Sequence, residues 1–74
     1  MGNPHSAFGL TVGDRIELLS MENDPYPMEA GATGFVTGFC DTPGLEQVQV
    51  DWDGGGGLNL IPGVDQWLVV ERAH

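Results

Sequence analysis

The residues with reactive or ligating side chains are few, and their spacing decides what they can do. A thiol nucleophile needs a base within hydrogen-bond reach, and a zinc site needs ligands at short, fixed intervals. Cys40 falls in a hairpin while His5 and His74 fall in the terminal segments, so neither pattern is present. Asp51 and Asp53 open like a calcium-binding EF-hand loop, but Gly55 and Pro62 occupy positions where that loop requires ligands. The same two carboxylates would serve as acid and base only in a pocket that drives their pKa values apart, which an exposed strand face does not provide. The glycine run at residues 54–57 is followed by neither the Lys-Ser/Thr of a phosphate loop nor a helix, and reads as a flexible hairpin tip. The expectation is a non-catalytic chain without metal or cofactor.

Residues 20–31 carry a different kind of chemistry. Pro25 and Pro27 interrupt ladder pairing and, with the turn-forming Asn23 and Asp24 ahead of them, give an ordered but irregular loop. Tyr26 is an aromatic anchor and Met28 a deformable apolar contact, while Glu22, Asp24 and Glu29 supply charge around them. These five residues are the candidate partner-binding set, with the prolines limiting the entropy lost on docking. The alternative is that Tyr26 and Met28 fold back and seal one end of the core.

The elements that must position this loop are strands. Arg15-Ile16-Glu17-Leu18 alternates with period two, and residues 34–40 continue the chain after the loop with Phe35, Thr37 and Phe39 on one face and Gly34, Val36 and Gly38 on the other. Gly34 is expected to let a neighbouring strand pass close or to hold a glycine-only geometry. Pro43 and Gly44 mark a type II turn. In residues 47–53, Val48, Val50 and Trp52 point one way and the polar residues the other. A short strand over residues 58–60, a second Pro-Gly turn at Pro62 and Gly63, and a short helical turn capped by Asp65 then lead into the last strand, residues 67–71. That strand is apolar on both faces, which places it between two neighbours or beneath the long loop. Leu10 and Val12 plug one end of a core formed by Ile16, Leu18, Val36, Val48, Val50, Trp52, Leu60 and Val69.

Composition bounds the whole. A chain of 74 residues is one domain, and at this size about 60 % of the unfolded chain's surface is buried. One cysteine excludes an intrachain disulfide and suits a reducing, cytoplasmic setting. No apolar run approaches the ~20 residues that span a bilayer, and the first residues do not read as an export signal. Eleven acidic residues against two arginines and no lysine give a net charge of −9. Such a surface repels phosphate backbones, so direct nucleic-acid binding is not expected and basic partners are. The acid either serves that recognition or keeps a small glycine-rich protein in solution.

With five short β-segments and no 3.6-residue periodicity, the expected architecture is all-β, a small five-stranded antiparallel SH3-like barrel over residues 10–72 behind a flexible segment of residues 1–9. The stretches GDRIELLSMENDPYPMEAGATGFV, VDWDGG and IPGVDQW resemble a family of short bacterial and bacteriophage proteins, domain-of-unknown-function family four-three-one-four. Phe35 and residues 40–45 depart from its pattern. The resemblance implies a bacterial or phage origin and carries no activity. Two functions follow from the residues: a protein-interaction module, monomeric or weakly dimeric, for a partner with a basic surface; or an acidic nucleic-acid mimic that inhibits a basic nucleic-acid-binding protein. The scatter of the acids over several loops favours the module, since a mimic needs them on one face with few aromatics among them.

Overall fold

The computed structural model describes residues 5–21 and 29–73. Their strands are all antiparallel: β1 (Ser6–Ala7), β2 (Leu10–Thr11), β3 (Arg15–Ser20), β4 (Thr33–Cys40), β5 (Gln47–Trp52) and β6 (Gln66–Glu71). The last four form one sheet in the order β5-β4-β3-β6, and β1 with β2 forms a separate ribbon. No helix occurs among the described residues, so the all-β expectation holds, and none is long and apolar enough to cross a membrane.

The five-stranded barrel does not hold. Among the described residues the strand count is six: the expected strand over residues 58–60 is absent, and two are added where Ser6 and Ala7 pair back onto Thr11 and Leu10 across a tight turn in which Phe8 and Gly9 both take positive φ, 56° and 77°. Such mirror-image turns match the twist of a two-residue hairpin. Phe8 bears the strain of a bulky residue in this region, and its ring packs at 6.3 Å on that of Phe39. Among the described residues the sheet also stays open, with β5 and β6 at opposite edges. After the side-chain-free run of residues 54–57, the chain meets β5 at a single bridge, Leu60 to Val48, too little to carry a strand across and close the sheet.

The second Pro-Gly turn forms as read, but the expected helical turn between it and β6 is absent. The Val64 amide donates to the Ile61 carbonyl at 3.1 Å, and Gly63 takes φ 86°. Rather than capping a helix ahead of it, the Asp65 carboxylate reaches back to accept the Ile61 amide at 2.8 Å. The earlier turn forms as read, with Leu45 N–H on the Thr42 carbonyl at 2.8 Å and Gly44 at φ 84°.

The core consists of Leu10, Ile16, Leu18, Met21, Val36, Phe39, Val48, Trp52 and Leu60, with Val12, Val50, Trp67 and Val69 packed against it. Alternation predicts most of these, but three extra residues in the ladders reset its phase. Val36 pairs with Val50 and Gly38 with Gln49, leaving Thr37 as an added residue. Past this bulge Phe39 turns inward and is fully buried, while Phe35 remains outside. Shared side of the sheet for Phe35 and Phe39 is thereby corrected. Leu19 in β3 and Val70 in β6 are the other two added residues. Gly34 sits opposite Trp52, and a Cβ there would stand 2.6 Å from the Asp51 carbonyl oxygen. Close strand passage is therefore its role.

Candidate functional site

The loop proposed from sequence has a defined stem. Leu18 N–H donates to the Ala32 carbonyl at 2.7 Å and Gly31 N–H to the Leu18 carbonyl at 2.8 Å, while Met21 enters the core at the loop's start. Glu29 is exposed where the loop returns. Glu22, Asp24, Tyr26 and Met28 lie outside the described residues.

The outer face of the main sheet carries a second constellation, which sequence reasoning did not assemble. Register partners share a face, so Asp51, Phe35, Arg15 and Glu71 form one row across the four strands, and Thr33, Glu17 and Leu68 the next. On this face Phe35 is 45 % exposed and Leu68 51 %; the two bulged residues, Leu19 and Val70, which have no register partner, are 43 % and 48 % exposed. These are large apolar side chains in water on a protein with little surface to spare. The signal for them was the last strand's apolar character on both faces. The structure gives that strand one neighbour, not two: among the described residues β6 pairs only with β3.

Polar groups at the margin are already committed to one another. Arg15 lies 4.7 Å over the Phe35 ring and donates to both Asp53 carboxylate oxygens, Nη1 to Oδ1 at 3.0 Å and Nη2 to Oδ2. Thr33 Oγ1 donates to Asp53 Oδ2 at 2.6 Å. The Arg15 hydrogen bonds, then that from Thr33, lower the Asp53 pKa to about 2. The other guanidinium, Arg72, donates to Asp14 Oδ2 at 3.0 Å. Asp14 is wholly buried and also accepts the Thr11 amide at 2.9 Å and the Ala73 amide at 2.7 Å. Burial alone would raise its pKa; the amides of Ala73 and Thr11 and the Arg72 side chain outweigh this and lower it. With both arginines held by carboxylates, Asp41, Asp51 and Glu29 are exposed on a surface whose net field is negative.

Among the described residues there is no pocket and no group of three or more His, Cys, Asp or Glu placed to hold a metal. His5 is exposed, and its carbonyl accepts the Val12 amide at 3.0 Å; Cys40 is half-buried at the end of β4, and His74 is outside the described residues. What the arrangement offers is an open outer face on which the exposed Phe35 and Leu68 alternate with the charged side chains of Asp51, Arg15, Glu17 and Glu71.

Fold and face together define a small antiparallel β-domain with an acidic surface. The chain belongs to the family described as a domain of unknown function (DUF4314), whose model matches residues 9–70. No curated protein and no solved structure matches it.

Proposed function

We propose that this domain is a non-catalytic protein-interaction module that docks a partner bearing a basic surface. The observation that carries the reading is that Phe35 and Leu68 are exposed on the outer face of the sheet, with Leu19 and Val70 also exposed at the bulges of β3 and β6. Interfaces combine an apolar centre with a polar rim, and the acidic surface supplies that rim and steers a cationic partner. Of the loop set read from sequence, Glu29 is exposed and would add charge, while Glu22, Asp24, Tyr26 and Met28 remain candidates by residue type alone. The mimic reading fares less well. Asp14 and Asp65 are buried and Asp53 is held by Arg15, which removes them from a phosphate-like array, and apolar side chains interrupt the rest. A reducing cytoplasm in a bacterial or phage setting fits the single cysteine and the family resemblance.

The test is capture from the native host followed by mass spectrometry, repeated with Leu19→Ser/Leu68→Ser and, separately, with Tyr26→Ala and with Glu22→Lys/Glu29→Lys. Loss of capture in the first variant with an unchanged melting temperature supports the face, and a weaker salt dependence in the charge variant supports the rim. Capture that survives Leu19→Ser/Leu68→Ser overturns the face. Unfolding on Tyr26→Ala returns that residue to the core.

A further inference from the structure

The two edges of the main sheet are treated differently. β5 is met by the segment after the glycine run, where Val48 and Leu60 exchange both backbone hydrogen bonds at 2.9 Å. β6 has no such cover among the described residues. In an antiparallel edge strand alternate residues turn their N–H and C=O groups away from the neighbour, and proteins normally blunt such an edge with lysine, proline or a charge pointing inward. Residues 66–70, Gln-Trp-Leu-Val-Val, contain none of these. Leu68, Trp67 and Val69 follow one another in regular register against Glu17, Leu18 and Ile16, and the one bulge in β6, Val70, comes after them. Among the described residues, a regular, β-prone and uncharged stretch is thus presented at an open edge.

The side chains on either side of that edge define what fits. Trp67 and Val69 lie on the inner face, half-buried against the core and left partly uncovered where the sheet stops. Leu68 is on the outer face, with the carboxylates of Glu17 and Glu71 in its own and the adjoining row. A strand laid against β6 would extend the core over Trp67 and Val69 with every second side chain. The intervening side chains would enter the acidic outer face.

Resting on the interaction-module reading, we propose that β6 is the docking strand and that its occupant is an extended segment of a partner protein, paired to residues 66–70 by backbone hydrogen bonds, with apolar residues alternating with Lys or Arg. A second copy of this chain is the poorer occupant, because each copy brings a net charge of −9 and like-charged surfaces repel on approach. Backbone pairing gives the affinity and the alternation gives the specificity.

The test uses the full chain and a random linear-peptide library displayed on phage. Enriched peptides should alternate basic with apolar residues and lack proline, and a synthetic copy should slow amide hydrogen exchange at residues 66–70. N-methylating the peptide amides that face β6 should weaken binding about tenfold each, the loss of one backbone hydrogen bond, while methylating the intervening amides should not. Leu68→Lys should weaken binding by a similar factor with the melting temperature unchanged, since Leu68 is 51 % exposed. Peptides that protect residues 20–31 instead, or that tolerate methylation at every amide, overturn the docking strand and leave the interaction module standing. An unenriched library also overturns it, and the module is then judged by host capture alone. A concentration-dependent dimer in sedimentation, abolished by Leu68→Lys, would replace the basic segment with a second copy.

Discussion

Asp53 is exposed to water, yet its proton affinity is set by neighbours that the fold brings from far along the chain. Arg15 is 38 residues away in sequence and Thr33 is 20. Because the folded-state pKa, about 2, is below the ordinary aspartate value of 3.8, the stabilisation it contributes is fully present above pH 3.8 and is lost as pH falls through about 2. Replacing Arg15 with Gln removes the larger cause and leaves the Thr33 hydroxyl, so the Asp53 pKa should rise toward, without reaching, its ordinary value. Carboxyl carbon shifts followed through an acid titration measure this directly. A pKa that stays at about 2 in Arg15→Gln would assign the shift to the hydroxyl instead. None of the pairing was legible in the sequence: Asp53 read as one of two strand carboxylates, and the register that sets Arg15 beside it emerges only when β3, β4 and β5 are laid side by side.

At the level of elements, Trp52 ties β5 to the segment that follows it. Its indole N–H donates to the Leu58 carbonyl at 2.8 Å, and its ring is 3 % exposed. Trp52→Ala should therefore cost ~3–5 kcal/mol, read as a fall in the denaturant midpoint, and should release residues 54–60 to rapid amide exchange. Trp52→Phe should recover most of the packing and none of the hydrogen bond. A midpoint unmoved by Trp52→Ala would mean that the ring is not a core residue. This strand was readable because Val48, Val50 and Trp52 keep strict alternation and their polar neighbours face water. Phe39 was not readable, since one added residue at Thr37 reverses the faces and leaves no mark on the spacing. Asp65 misled for a related reason: an aspartate ahead of an apolar run fits a helix cap, whereas here the chain turns at Gly63 and the carboxylate accepts the Ile61 amide. The site divides similarly. That β6 is apolar on both faces was plain in the sequence, but which face lacks a neighbour depends on strand order, and no local pattern encodes strand order.

For the whole molecule the governing quantity is charge against size. The Cα radius of gyration is 11.4 Å, whereas the screening length is about 30 Å at 0.01 M salt and about 8 Å at 0.15 M. In dilute buffer every carboxylate feels every other, and at physiological salt those on opposite sides are decoupled. The melting temperature should accordingly rise with sodium chloride over this range. A fall would mean that the Arg15–Asp53 and Arg72–Asp14 pairs outweigh the collective repulsion. The same field would act on the proposed basic partner: its docking should slow as salt increases, chiefly through the association rate.

The buried carboxylate of Asp14 also has a mechanical consequence. It clasps Thr11 on one side and Ala73 on the other, so the incoming and outgoing ends of the domain are fastened at one point. Under tension applied to the two termini this clasp is loaded first. Once it opens, β6 peels from β3 starting at the pair Glu71 and Arg15, its hydrogen bonds breaking one after another instead of sharing the load in shear. Forced unfolding is governed by the rate of the opening step, so resistance to pulling should collapse in Asp14→Asn well before the midpoint in denaturant does.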